Sequence, residues 1–304
     1  MIHISIIIVN YNSQKDTLEC LDSLLNIKSS GFKYSVLIVD NASKDPLVLP
    51  KRFQLSSIEV IRSESNLGFT GGNNMGIHYC IEKYSSDFVL LLNNDTTVDP
   101  KFLKELLSHA DKYPKAGLIS SKIYFTKGRE YHFESYEKEE LGKVFWYAGG
   151  SVDWNHLVAF HRGVDEVDRG HFDNQAKCDF ATGCSMLIRR EVLEKVGTLD
   201  KRFFLYMEDV DLSVRARKSG YEVHFAPKSI VWHKNAGSSG GSGSGVQQYY
   251  QTRNRLLFAI KHGGWNEWLT VLRLILNFIL NGNSKQRLAV FHLLTAQFGK
   301  QPII

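Results

Sequence analysis

At 304 residues and 43% apolar content, the chain has material for a sizeable core, which fits one large α/β domain or a domain with an appendage. Its four cysteines, Cys20, Cys80, Cys178 and Cys184, lack the close pairing of a metal cluster. A disulfide framework is not expected at this size, so the setting reads as reducing and cytosolic.

The net charge of +5 is unevenly spread: from Val246 onward seven basic residues stand against Glu267 alone, giving +6 there and −1 for everything before. That asymmetry points to an anionic partner for the carboxyl end, with membrane surface and nucleic acid as the general candidates. Met1–Ser5 runs into a strand-like segment with no basic leader or small-residue cleavage site, so export is not expected.

His3 to Asn10 reads as a first strand, and Leu18, Leu21, Leu24 and Leu25 give Asp16 to Leu25 a helical spacing. The turn between them, Tyr11-Asn12-Ser13, has neither the glycines of a dinucleotide-binding turn nor the Gly and Lys of a P-loop. A second strand, Tyr34 to Val39, ends in Asp40-Asn41-Ala42-Ser43, which places a carboxylate and an amide at a strand's carboxyl end. Ile58 to Ile61 reads as a third strand. It is followed by Asn66-Leu67-Gly68-Phe69-Thr70-Gly71-Gly72-Asn73-Asn74, where a helix starting near Gly72 would aim N–H groups at phosphate or sugar oxygens.

Phe88 to Leu92 is five apolar residues, too short for a usual helix, and reads as the buried central strand. It ends in Asn93-Asn94-Asp95. Taken alone, this tripeptide is accounted for by capping or a turn. A carboxylate at that strand end also suits a divalent cation carrying a nucleotide diphosphate, and the neighbouring strand ends favour that reading.

Pro100 opens a helix over Lys101 to Tyr113, and Gly117 to Phe125 reads as a strand. Residues 126–176 then mix charge with Tyr131, Tyr136, Phe145, Trp146, Tyr147 and Trp154 around a Gly149-Gly150 turn. Such rings either stack on sugars or pack in a core, and both readings stand. Thr182-Gly183 belongs to a small-residue turn leading into a strand, Glu191 to Val196 to a short helix stopped by Gly197. Glu208, Asp209 and Asp211 precede a helix over Leu212 to Lys218; three carboxylates in four positions raise the affinity for protons or cations, as a general base or metal site requires. In Tyr221 to Trp232, His224 is assigned to packing or surface, while His233 at the strand's end is a candidate metal ligand.

Residues 235–245 have a flexible Gly/Ser linker composition and serve as linker or lid. In the following segment Arg253 and Arg255, two apart, cannot share a helix face. Trp265 to Leu280 is strongly apolar but interrupted by Arg273 and Asn277 and short for a span. It reads as an interfacial helix on an anionic membrane, with a core or homodimer helix as the alternative.

Together these segments resemble the family 2 glycosyltransferases, in particular the rhamnosyltransferase-like branch of bacterial surface-polysaccharide synthesis. The matching stretches are Ile7-Ile8-Val9-Asn10-Tyr11-Asn12, Val39-Asp40-Asn41-Ala42-Ser43, Asn66-Leu67-Gly68-Phe69, Gly72-Asn73-Asn74, Leu92-Asn93-Asn94-Asp95, Thr182-Gly183, Glu208-Asp209-Val210-Asp211-Leu212, and Tyr250 with Arg253-Asn254-Arg255. The resemblance implies a GT-A fold, with a Rossmann-like, mostly parallel sheet flanked by helices over 1–234, an insertion at 126–176 near the acceptor, and a basic, amphipathic helical region over 246–304.

It further implies an inverting transfer from a nucleotide sugar with Mg2+ or Mn2+. Asp209 would be the catalytic base, Asp95 and His233 the metal ligands, and Asp40 a contact to the base or ribose. Asn10, Tyr11, Asn12, Asn41, Asn66, Gly68, Phe69, Gly72, Asn73, Asn94, Thr182, Gly183, Glu208 and Arg253 would bind substrate or nucleotide. The branch favours dTDP-rhamnose as donor, with UDP-hexoses or UDP-galactofuranose as alternatives, and a lipid-linked oligosaccharide or polysaccharide as acceptor. No nucleic-acid partner is expected, and the place of action is the cytoplasm or the inner face of the plasma membrane. Two rivals remain from other classes: a non-catalytic nucleotide-sugar-binding protein, and a nucleotidylyltransferase, which would want a basic, glycine-rich loop after the first strand.

Overall fold

Apolar runs that end in Asn or Asp become strands whose carboxyl ends meet along one edge of a mixed sheet. The computed structural model describes residues 1–235 and 243–303, so most of the Gly/Ser segment expected to be a linker or lid lies outside the described residues. In chain order the elements are β1 (Ile2–Asn10), α1 (Gln14–Leu24), β2 (Phe32–Asp40), β3 (Ile58–Arg62), α2 (Gly68–Tyr84), β4 (Phe88–Leu92), β5 (Thr96–Val98) and α3 (Phe102–Lys112). There follow β6 (Ala116–Phe125), β7 (Phe145–Tyr147), β8 (Gly150–Asp153), β9 (Val158–His161), β10 (Ser185–Arg189), α4 (Arg190–Val196), α5 (Glu208–Lys218) and β11 (Glu222–His233). The helices α6 (Gly245–His262), α7 (Trp265–Asn281) and α8 (Ser284–Leu294) complete the chain.

The sheet runs β3-β2-β1-β4-β10-β6-β11-β5, with β7 added to β6. β1 pairs in parallel with both β2 and β4, and β6 with β11, while β10 runs antiparallel between β4 and β6. This is a GT-A fold. β4 is central and all five of its residues are buried, as a strand covered on both faces requires. Alternation divides its side chains: Leu90 and Leu92 join Ile4, Ile6 and Ile8 in the core under α1 and α3, whereas Val89 and Leu91 join Ile7 in the core under α2 and α4.

Two helices begin earlier than their sequence suggests. α2 starts at Gly68, where the Asn66 side-chain oxygen accepts the Gly68 N–H at 2.8 Å and so satisfies a donor the helix cannot. Gly72 and Gly76 then act as packing residues: a Cβ there would come within 2.9 Å of Val9 and 2.5 Å of Ile7 on β1. Likewise α5 starts at Glu208, since Asp211 N–H already bonds to Met207 C=O at 2.9 Å. The three carboxylates therefore form the helix's first turn, where its dipole favours them.

The 126–176 stretch makes a β8–β9 hairpin and an added strand. Of its rings, Phe145 and Tyr147 are fully buried and Trp154 stacks on Phe258 with centroids 5.3 Å apart. Gly149 and Gly150 make room for Arg162 and Phe180. After α7 comes α8, which falls in the helical region expected over 246–304 but was not delimited in sequence, although Asn283 and Gln286 form a capping box at its start. Tyr249 and His292 Nδ1 hydrogen-bond at 2.6 Å between α6 and α8.

Candidate active site

The strand order reverses between β1 and β4, the place where open α/β sheets bind ligands. A cavity of about 940 Å³ opens there. Asp95 and Asp209, 114 positions apart in number and carried on different elements, both line it, together with His233, Glu208, Thr182 and Gly183.

β11 brings His233 in by pairing antiparallel to β5, which sets His233 opposite Thr96, next in chain to Asp95. The His233 Nε2 and an Asp95 carboxylate oxygen are 3.0 Å apart, and the Asn93 amide nitrogen is 3.5 Å from the same ring nitrogen. Two ligands of one octahedral cation at about 2.1 Å stand about 3.0 Å apart, so the spacing fits adjacent positions on Mg2+ or Mn2+. His233 Nδ1 is buried without a hydrogen-bond partner among the described residues, and the Trp146 ring stands edge-on to the imidazole at 4.5 Å. No group of three or more His, Cys, Asp or Glu side chains among the described residues could hold a metal. A cation held by this pair would draw its other ligands from diphosphate and water, as Mg2+ sites commonly do.

Asp209 is partly open to the cavity and accepts hydrogen bonds from the N–H groups of Gly183 at 3.0 Å and Val210 at 2.8 Å. Burial pushes its carboxyl above the ordinary value of 3.8, against the pull of those two donors. Glu208 beside it is buried, and one of its oxygens has no partner among the described residues. Burial, and then the Asp209 charge, drive its carboxyl well above its usual range. Gly183 is required by closeness: a Cβ there would meet the Phe69 ring at 2.8 Å.

The loop before α5 is strained, with Phe204, Tyr206 and Met207 all at positive φ. It is held from behind by α6. The Asn254 amide donates to the carbonyls of Phe203, Leu205 and Tyr206 at 2.9, 2.7 and 2.9 Å. Arg253, fully buried, donates to Arg202, Phe203 and Gly299 carbonyls. Arg253 therefore does not reach the cavity, contrary to expectation, because its guanidinium is committed to loop carbonyls. Arg255 does line the cavity, where it donates to the His156 and Leu157 carbonyls at the turn of the β8–β9 hairpin.

Tyr11, Asn41, Asn66, Gly68, Phe69, Asn73 and Asn94 also line the cavity. The Asn41 side chain accepts from Leu67 N–H and donates to Gly68 C=O, tying β2's end to the start of α2. Four expected contacts fall outside it. Asp40 is buried and engaged by Arg62, Asn10, Ser43 and the Leu47 N–H. Asn10 bonds to Asp40, Ser43 and Thr17; Asn12, at positive φ, bonds to Ser43 and Lys44; and Gly72 packs on Val9. They shape the strand ends behind the site. Of the insertion's rings singled out above, Tyr131 and Trp146 reach the cavity.

Sequence reading missed one wall. Gln248, Gln251, Thr252 and Arg255 of α6 line the cavity, and their three- and four-residue spacing, which puts them on one helix face, was the available signal.

Residues 3–258 match the family model described as "Glycosyltransferase like family 2". The chain is 28% identical over 254 residues to a low-salt glycan biosynthesis hexosyltransferase of Haloferax volcanii, covering 84% of this chain and 74% of that protein. It is 26% identical over 250 residues to an N-acetylglucosaminyl-diphospho-decaprenol L-rhamnosyltransferase of Mycobacterium tuberculosis, covering 79% and 78%. Among solved structures, a mannosyltransferase of Pyrobaculum calidifontis in complex with GDP-Man and Mn2+ superposes with a TM-score of 0.54 at 14% identity, over 99% of this chain and 76% of that one.

Proposed function

The chain belongs to glycosyltransferase family 2, and from that membership we propose an inverting, metal-dependent transfer of rhamnose from dTDP-rhamnose onto a hydroxyl of a lipid-linked or polysaccharide acceptor. The observation that carries this reading is the shared cavity: a cation-competent pair, Asp95 and His233, and a carboxylate of raised basicity, Asp209, line the same space. The donor is favoured by the rhamnosyltransferases among the relatives.

Asp95 and His233 would hold a divalent cation, which would supply charge compensation to the departing diphosphate. Asp209 accepts the acceptor hydroxyl's proton as the oxygen attacks the anomeric carbon, while the Gly183 and Val210 N–H groups hold its carboxylate in place. One displacement on the face opposite the leaving group inverts that centre. Glu208, whose carboxyl is driven upward by burial and the neighbouring Asp209 charge, offers a hydrogen-bonding group to a sugar hydroxyl. A lipid-linked acceptor implies action at the cytoplasmic face of a membrane.

The test is nucleotide release from a panel of dTDP-rhamnose, UDP-hexoses and UDP-galactofuranose with Mn2+ or Mg2+. Release from dTDP-rhamnose, abolished by chelator, is expected, and Asp209→Asn should bind donor normally while losing about 10²–10⁴-fold in transfer. Release from UDP-galactofuranose instead would change the donor; near-normal transfer by Asp209→Asn would remove the base.

A further inference from the structure

α7 buries Val271 and Phe278 and leaves its opposite face bare. Trp265 is 80% exposed and Leu280 70%, and Trp268, Leu269, Leu272, Leu276 and Ile279 are exposed between them. At about 100° per residue these seven side chains fall within an arc of roughly 120°, some 22 Å long. Arg273 lies at the edge of the arc, and Arg287 donates to the Leu280 carbonyl at 3.1 Å, which sets a second guanidinium at the arc's far end. The only acid on α7 or α8, Glu267, caps its own helix by accepting the Gly264 N–H at 2.8 Å.

We propose that this face of α7 docks on an anionic lipid surface, lying in the plane of the headgroups. An apolar arc with tryptophans at one end and basic groups at its border is the chemistry of an in-plane helix. A two-fold dimer seam fits less well, because an isologous contact would bring like arginines together with no acid on these helices to pair them. No helix among the described residues is long and apolar enough to cross a membrane. The inference builds on the proposed acceptor. Phe278 of the same helix and Gln286 of α8 line the reaction cavity, so docking holds that cavity about one helix diameter, roughly 10 Å, above the lipid. That height selects an acceptor whose reactive hydroxyl stands on a short headgroup glycan.

Co-sedimentation of the full chain with vesicles of phosphatidylglycerol and phosphatidylethanolamine, against phosphatidylcholine alone, reads the docking without any turnover. Strong binding to the anionic vesicles is expected, weakening with salt. Leu272→Asp with Leu276→Asp should lower it at least tenfold, and Arg273→Gln about fivefold. Nucleotide release with a water-soluble acceptor should be unchanged in these variants, which separates failure of docking from failure of the transferase reading. Equal binding to both vesicle types, or undiminished binding by the double variant, overturns the proposal. So does a dimer of the unaltered protein in sedimentation equilibrium that the double variant dissociates.

Discussion

Asp209 combines two opposing influences: burial makes its carboxylate more basic, and two backbone N–H groups restrain that rise. Because the base must be ionised to work, the rate should climb with pH through a value above the ordinary 3.8 and be lost below it. A pH profile of kcat/KM whose acid limb lies at or below that ordinary value would separate Asp209 from the reaction. At this scale the sequence marked Asp95, His233 and Asp209 by their place after a strand or at a helix start, and all three line the cavity. Asp40 and Arg253 are equally polar and do not line it, because their partners, Arg62 and the Arg202 and Phe203 carbonyls, are far away in the chain.

Among the elements, α6 matters for what it holds. Asn254 anchors three successive stretches of a loop with positive φ at Phe204, Tyr206 and Met207, and that loop delivers Glu208 and Asp209. Asn254→Ala removes its bonds to the partly buried Leu205 and Tyr206 carbonyls, while the Phe203 carbonyl keeps its bond from Arg253, a loss of about 1–3 kcal/mol in stability. A displaced Asp209 should lower kcat on the order of 10²-fold with little change in donor KM. Thermal melting and steady-state kinetics check both; a change in donor KM alone would place Asn254 in donor binding. The start of α5 was misjudged by a turn in sequence because an acidic run reads equally as a cap or as a first turn. The Met207 carbonyl decided it.

The whole molecule is not divisible at the start of α7. Ala289 of α8 packs with the buried Tyr249 and Tyr250 of α6, and Val271, Phe278, Val290 and Leu293 belong to the main core, so each large apolar side chain of the remainder that their removal uncovers costs about 1.5–3 kcal/mol. A chain ending at 264 should therefore lose about 5 kcal/mol or more and melt roughly 10 °C lower. A truncated chain with unchanged melting would show the two helices to be a separate appendage. By itself, the sequence determined the order of the longer strands, β1 to β4, β6, β10 and β11, and the acidic strand ends, since apolar periodicity and turn chemistry are local properties of the chain; the short β5, β7, β8 and β9 carry too few residues to show a period. Only the tertiary structure decided that β11 pairs with β5 to bring His233 to Asp95, that Arg253 faces inward, and which face of α7 stays bare, because each depends on pairing between segments far apart in the chain.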